Sequence, residues 1–261
     1  MSICFADIIE TAEFEVLQSK VYEADRDTLV IFDIDEVIIT GTDDFTRAHP
    51  VRMKLVKEIQ ARYSKEEVED MFGEYTSKAK VKLVDPRFPG LLEYVWEKKI
   101  PTIALTACMT GKCGKIPKCE DLRLKELMQF GISFAKMSPL KKEESFPELK
   151  ARSGIPMVKA GVILTASYDK GSVLKIVLEK EKLWFKKIIF IDNLLKNLES
   201  VRIICEELGC IFQGIYYTAA KLIPLPKLDE EKERLRFEIL KKECIWLLDR
   251  ELENRFKELN N

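Results

Sequence analysis

Apolar residues reach this chain in short dense runs, with longer stretches of helical spacing between them. Residues 28–33, 100–107 and 186–192 are almost continuously apolar and rich in β-branched side chains. That pattern predicts strands covered on both faces, as in a parallel sheet flanked by helices. Residues 210–217 read as a further strand, and "ISFA" (132–135) as a short third strand between the second and fourth. Helical spacing marks residues 6–24 (Ile9, Phe14, Leu17, Val21), 86–99, 119–131, 170–181 and 194–209. Residues 136–160 are polar and broken by Pro139, Pro147 and Pro156, and 160–167 reads as one arm of a hairpin. Strand and helix alternate throughout, which predicts an α/β fold with a doubly wound parallel sheet.

Two segments fall outside this alternation. Residues 43–85 hold two helical stretches, 50–62 and 65–80, the second opened by a capping box of Ser64 and Glu67. From Leu228 the chain is highly charged, with Phe237, Leu240, Cys244, Leu248, Leu252, Phe256 and Leu259 at three- and four-residue steps. The stripe predicts one long amphipathic helix over 228–261 packed on the chain's own core; a dimer seam is the alternative. A membrane-surface helix is disfavoured, because its polar face mixes both charge signs. The expected organisation is a core of 1–42 and 86–227, a small helical cap insertion at 43–85, and the C-terminal helix. The chain is expected to be a monomer or homodimer.

Composition narrows the function. Of 261 residues, 46% are hydrophobic, enough for a sizeable core; 43 Lys and Arg against 44 Asp and Glu leave a formal charge of −1. Nucleic-acid binding, which needs a basic excess to displace counterions, is not expected. The N-terminus has no basic stretch before a long apolar run, and no apolar stretch is long enough to span a bilayer. Seven cysteines, an odd number, read as reduced thiols rather than a disulfide framework. Together these lead to the expectation of a cytoplasmic chain with no membrane partner. Cys108, Cys113 and Cys119 lie within twelve residues, but their spacing fits free thiols better than zinc.

The candidate chemistry sits at strand ends. "LVIFDIDEVIIT" (29–40) places Asp33 and Asp35 at the tip of the first buried strand. A carboxylate after four apolar residues is costly to desolvate unless a cation or hydrogen bonds compensate. Thr106 ends the second core strand, Asp192 ends the fourth, and Lys170 opens the helix before the fourth. In an open α/β sheet these positions share the carboxyl rim, where ligands bind. Each residue alone has a plainer reading as a cap, turn or surface residue, and their convergence is what points to a site.

This constellation resembles the haloacid dehalogenase superfamily, most of whose members are phosphatases. "DIDEV" fits its first motif, "IALTA" the second, the lysine of "YDKGSVLK" the third and "IFIDN" the fourth. The resemblance spans about residues 26–217, and "DIDEVII", "DKGSVL" and "FIDNLLKNLESV" look like a branch found mainly in intracellular bacteria. It implies that Asp33 is the nucleophile, forming an aspartyl-phosphate, and that Asp35 is the general acid and base. It further implies that Thr106, Ala107 and Lys170 bind phosphate, and that Asp33, Asp35 (through its backbone) and Asp192 hold Mg²⁺. Many relatives carry a second acid in the fourth motif; here Asn193 follows Asp192 and Lys196 comes later. Asn193 could hydrogen-bond a metal-bound water but brings no charge. The implied activity is hydrolysis of a small phosphorylated metabolite. A haloacid dehalogenase-like binding or effector protein, weak or inactive in catalysis, is the alternative. A cap insertion would choose the substrate. His49 reads as a loop residue, and the lysines at 136, 141, 142 and 150 with Arg152 as a solvated stretch.

Overall fold

The computed structural model describes residues 6–42, 45, 49–225 and 227–260. In chain order its elements are β1 (Ala6–Thr11), α1 (Phe14–Tyr22), β2 (Thr28–Phe32), β3 (Ile39–Gly41), α2 (Pro50–Arg62), α3 (Lys65–Lys78) and β4 (Val81–Leu83). There follow α4 (Phe88–Glu97), β5 (Thr102–Thr106), α5 (Cys119–Met128), β6 (Glu144–Ser145), β7 (Met157–Lys159), β8 (Val162–Leu164) and α6 (Lys170–Lys180). The chain ends with β9 (Lys187–Asp192), α7 (Leu195–Leu208), β10 (Ile211–Tyr217), α8 (Ala219–Leu222), α9 (Glu230–Glu243) and α10 (Asp249–Asn260).

The fold is α/β. One eight-stranded sheet runs β1-β10-β9-β2-β5-β8-β7-β6. It is parallel from β1 to β8, and only the β7 and β6 edge is antiparallel. Every residue of β2 and β5 is buried, as continuous apolar runs require. Burying Leu29, Val30, Ile31 and Phe32 contributes roughly 1.5–3 kcal/mol each. From β2 the chain adds β5 and β8 on one side, then returns to place β9 and β10 on the other. The gap between the carboxyl ends of β2 and β9 is therefore the topological switch point.

The chain divides into two compact units. The first comprises residues 1–40, 83–111 and 120–223 and contains the large sheet. The second comprises 41–82, 112–119 and 224–261. Here the structure corrects the sequence reading. Residues 228–261 are not one helix on the sheet's core but two, α9 and α10, grouped with the insertion. The break falls at Cys244, whose φ of 56° ends α9 in the left-handed region. Phe237, Leu240 and Trp246 then cluster with Phe45, Leu55, Ile59 and Met71. The apolar stripe finds its partner in the insertion, whose described residues Phe45, Leu55, Ile59 and Met71 share one core cluster with it. Ion pairs Lys54–Glu230 (2.8 Å) and Arg234–Glu58 (2.7 Å) line the same contact. Within this unit Ser64 and Glu67 form the expected capping box, and His49 caps α2 by accepting from Val51 N at 3.1 Å.

Two smaller corrections concern strands. Residues 6–24 are a strand and then a helix, because β1 pairs in parallel along β10 and Glu13 turns the chain in an extended conformation. "ISFA" is not a strand. Ile132 and Phe134 are buried, but they anchor a loop packed under Gly161, and the place beside β5 belongs to β8.

Candidate active site

At the switch point the ammonium of Lys170 lies between two buried carboxylates. Its Nζ is 2.8 Å from Asp33 Oδ1 and 2.7 Å from Asp192 Oδ2. All three are nearly inaccessible, at 2%, 5% and 0% exposure for Lys170, Asp33 and Asp192. Asp33 directly follows β2, tied by its N–H to Ile191 O of β9 at 2.9 Å. Its Oδ1 also accepts from Ile34 N at 2.8 Å; among the described residues none of its bonds falls on Oδ2. Burial pushes the Asp33 carboxyl up to about 7, Lys170 opposes this, and Asp192 and Asp35 add to it. Burial works against charge on Lys170, but its two carboxylate partners outweigh it and raise its pKa.

Asp35 and Thr106 form a second group on the rim. Thr106 is buried at the end of β5; its Oγ1 lies 3.5 Å from Asp35 Oδ2 and accepts from Cys108 N at 3.2 Å. Asp35 Oδ1 pairs with Arg123 Nη2 of α5 at 2.9 Å. Ala107 is exposed, its carbonyl accepting from Ser167 N at 3.1 Å. Burial raises the Cys108 thiol to about 11, against the pull of neighbouring Arg123, so at neutral pH it is a thiol and not a thiolate. Non-glycine residues with positive φ crowd this edge: Glu36 (60°), Ala166 (49°) and Ser167 (65°). Such conformations cost energy and persist where the surroundings over-determine them.

The sequence reading missed the residues that hold these groups. Asn197 is the amide on Asp192, 3.0 Å from each oxygen, and Leu194 N donates to Oδ1 at 2.8 Å. Asn197 lies in the first turn of α7, where the chain folds back over the end of β9. Counting only neighbours of Asp192 in sequence passes over it. Lys170 is set by the start of α6. Asp169 caps that helix through Ser172 N at 2.8 Å and accepts from Ser200 Oγ at 2.6 Å, while Gly171 N donates to Ser200 Oγ at 2.9 Å. A Cβ at Gly171 would collide with the backbone oxygen and hydroxyl of Ser200. Gly171→Ala gains about 0.5–1 kcal/mol of helix propensity, but overpacking costs about 1–3 kcal/mol. The clash wins, and the variant is expected to melt below the parent by differential scanning calorimetry. A higher melting temperature would show that α6 and α7 can separate freely.

The cluster suits a hard divalent cation in kind, since Asp33 and Asp192 offer carboxylate oxygens. Among the described residues, however, no three His, Cys, Asp or Glu side chains form a ready cage. Asp192 already receives four hydrogen-bond contacts, so a cation there must displace the Asn197 amide or Lys170.

Over residues 10–253 the chain matches the family described as "Protein of unknown function (DUF2608)". The chain belongs to this family. A protein of Chlamydia trachomatis serovar D, named "Putative outer membrane protein", is 23% identical over 250 residues, 93% of this chain and 90% of its own length. One of Rickettsia bellii, named "Uncharacterized protein", is 25% identical over 206 residues, 74% and 68% of the two chains. One of Chlamydia pneumoniae, also named "Putative outer membrane protein", is 30% identical over 110 residues, 40% and 37%. Among solved structures, a haloacid dehalogenase-like family hydrolase of Streptococcus pneumoniae aligns with a TM-score of 0.40 at 14% identity, covering 80% of this chain and 98% of its own. The relatives' names overturn the expectation of a cytoplasmic chain. Among the described residues no helix is long and apolar enough to cross a membrane.

Proposed function

We propose that this member of the family is a phosphomonoester hydrolase of haloacid dehalogenase type, acting on a small phosphorylated metabolite. One observation carries the reading: a buried lysine bridges two buried aspartates at the switch point, with a third aspartate and a threonine paired beside them. Asp33 Oδ2 attacks phosphorus as the ester P–O bond breaks, and the leaving oxygen takes a proton from Asp35. Water then attacks the aspartyl-phosphate and gives its proton to Asp35, which frees Asp33 and inorganic phosphate. Lys170 holds Oδ1 of Asp33 and so leaves Oδ2 to react. Thr106 and the backbone at Ala107 receive the phosphoryl oxygens, and the Lys170 ammonium offsets their charge. Magnesium, held by Asp33, Asp192 and the backbone of Asp35, would offset the repulsion between carboxylates and phosphate.

The test is turnover of a panel of phosphate monoesters by the whole chain, with Mg²⁺ and with EDTA. Phosphate release from any member that EDTA suppresses supports the reading; no release from any member overturns it. The alternative, phosphate binding without turnover, draws on the saturated carboxylate of Asp192.

Metal binding has its own readout. Mg²⁺ at a hundred times its Kd stabilises by about 2.7 kcal/mol, or several degrees in a domain this size. The shift is expected to vanish in Asp192→Ala and to grow in Asn197→Asp, which replaces a competing amide with a carboxylate. A shift that survives Asp192→Ala moves the cation elsewhere.

A further inference from the structure

The proton donor of the proposed reaction is the least constrained member of the site. Asp35 is 51% exposed, lies beyond the strand and is followed by a residue with positive φ. Its contact with Thr106 is long, at 3.5 Å. Its one close, charge-assisted tie among the described residues is to Arg123. Arg123 is itself well covered, at 17% exposure, and its Nη1 pairs with Glu126 Oε2 at 2.8 Å, one turn along α5. Its buried Nε has no hydrogen-bond partner among the described residues. A helix therefore presents a guanidinium whose two terminal nitrogens are each committed to a different carboxylate.

We infer that Arg123 is a positioning residue, held by Glu126, that fixes Asp35 through Oδ1 so that Oδ2 carries the proton to and from the reacting oxygen. The inference rests on the phosphatase reading. A phosphate-binding role fits the geometry less well. Asp35 and Glu126 already offset the charge of Arg123, so it brings little net attraction for a phosphate. The bond to Oδ1 instead leaves free the oxygen on the Thr106 side, where the phosphoryl group is placed. A planar guanidinium fixes direction as well as distance, which a lysine ammonium does not.

The leaving group separates this role from a structural one. An alkoxide needs a proton as it departs, whereas p-nitrophenolate departs without one. First-turnover rates of the full chain are compared for p-nitrophenyl phosphate and n-propyl phosphate in wild type, Arg123→Gln, Arg123→Lys and Glu126→Gln. Arg123→Gln is expected to slow the first turnover of the propyl ester on the order of 10²-fold, the lower end of what general acid catalysis contributes. It should leave the p-nitrophenyl burst nearly unchanged, with the substrate concentration that half-saturates the first turnover unmoved for both. Later turnovers should slow on both esters, because water attack still needs Asp35 as base, and aspartyl-phosphate should accumulate. Arg123→Lys and Glu126→Gln, which keep the positive charge at 123, should show the same pattern more weakly. Equal first-turnover losses on both esters, or a rise in KM alone, overturn the inference while leaving the phosphatase reading intact. A wild-type chain inert toward both esters and the whole panel overturns the phosphatase reading, and this one with it.

Discussion

Asp33→Asn is expected to end turnover and, at neutral pH, to make the protein harder to melt. Turnover is lost because an amide oxygen cannot serve as the nucleophile; losses for such a group are on the order of 10⁴–10⁶-fold. No aspartyl-phosphate should form in rapid-quench samples. The stability change follows from burial. Asp33 is 5% exposed and its carboxyl is raised to about 7, with desolvation as the largest cause. In the unfolded chain it titrates near the ordinary aspartate value of about 3.9. Between those values the folded state binds more protons than the unfolded state, so stability falls as pH rises through the window. The asparagine variant lacks this titration. Its advantage over wild type should thus be small near pH 4, grow toward pH 7 and level off above it, measured as a difference in melting temperature in EDTA. Residual steady turnover in Asp33→Asn would remove Asp33 from the mechanism. A stability difference flat across pH 4–8 would mean that folding does not raise the Asp33 carboxyl.

That prediction concerns a residue legible in the sequence, and the reason is physical. A carboxylate after four apolar residues violates a local rule strongly enough to be noticed, and such violations mark sites. The strands that carry Asp33, Thr106 and Asp192 were equally legible, since full burial on both faces leaves an unbroken apolar run. The switch point then brought together residues distant in sequence. What was not legible were the holders. Arg123, Asn197 and Ser200 are ordinary polar residues on helices, and only tertiary contact gives them their partners in the site: α5 with the segment after β2, and α7 with α6 and the end of β9. β1 was lost for a related reason: its few apolar residues adjoin a true helical pattern, and its pairing with β10 is set by a strand two hundred residues away. The C-terminal stripe was correctly seen as apolar, but periodicity does not say which surface it meets. Nor did it reveal the turn at Cys244, which splits one apparent helix into two.

Trp246→Ala is expected to unfold the second unit and spare the first. Trp246 is 1% exposed and is the hub of the aromatic cluster. Its ring centroid lies 5.3 Å from Phe45, 4.8 Å from Tyr75 and 5.5 Å from Phe237, with the Arg236 guanidinium 4.8 Å above it. Truncating a buried tryptophan to alanine costs about 3–5 kcal/mol. Against a total of about 5–15 kcal/mol for an ordinary domain, and less for a unit with so short a list of buried side chains, that is enough to unfold it. Cutting out residues 43–85 would be a poorer experiment, because Phe237, Leu240 and Trp246 would be left without the residues they pack against. The point substitution keeps every charged residue of the candidate site, all of which lie in the first unit. Hydrogen exchange should show α2, α3 and α9 losing protection while β2, β5 and β9 keep theirs. Turnover of p-nitrophenyl phosphate, which asks only for the site, should persist. Loss of protection across both units in one cooperative step would mean that the two share their stability and that the cluster around Trp246 belongs to the whole fold.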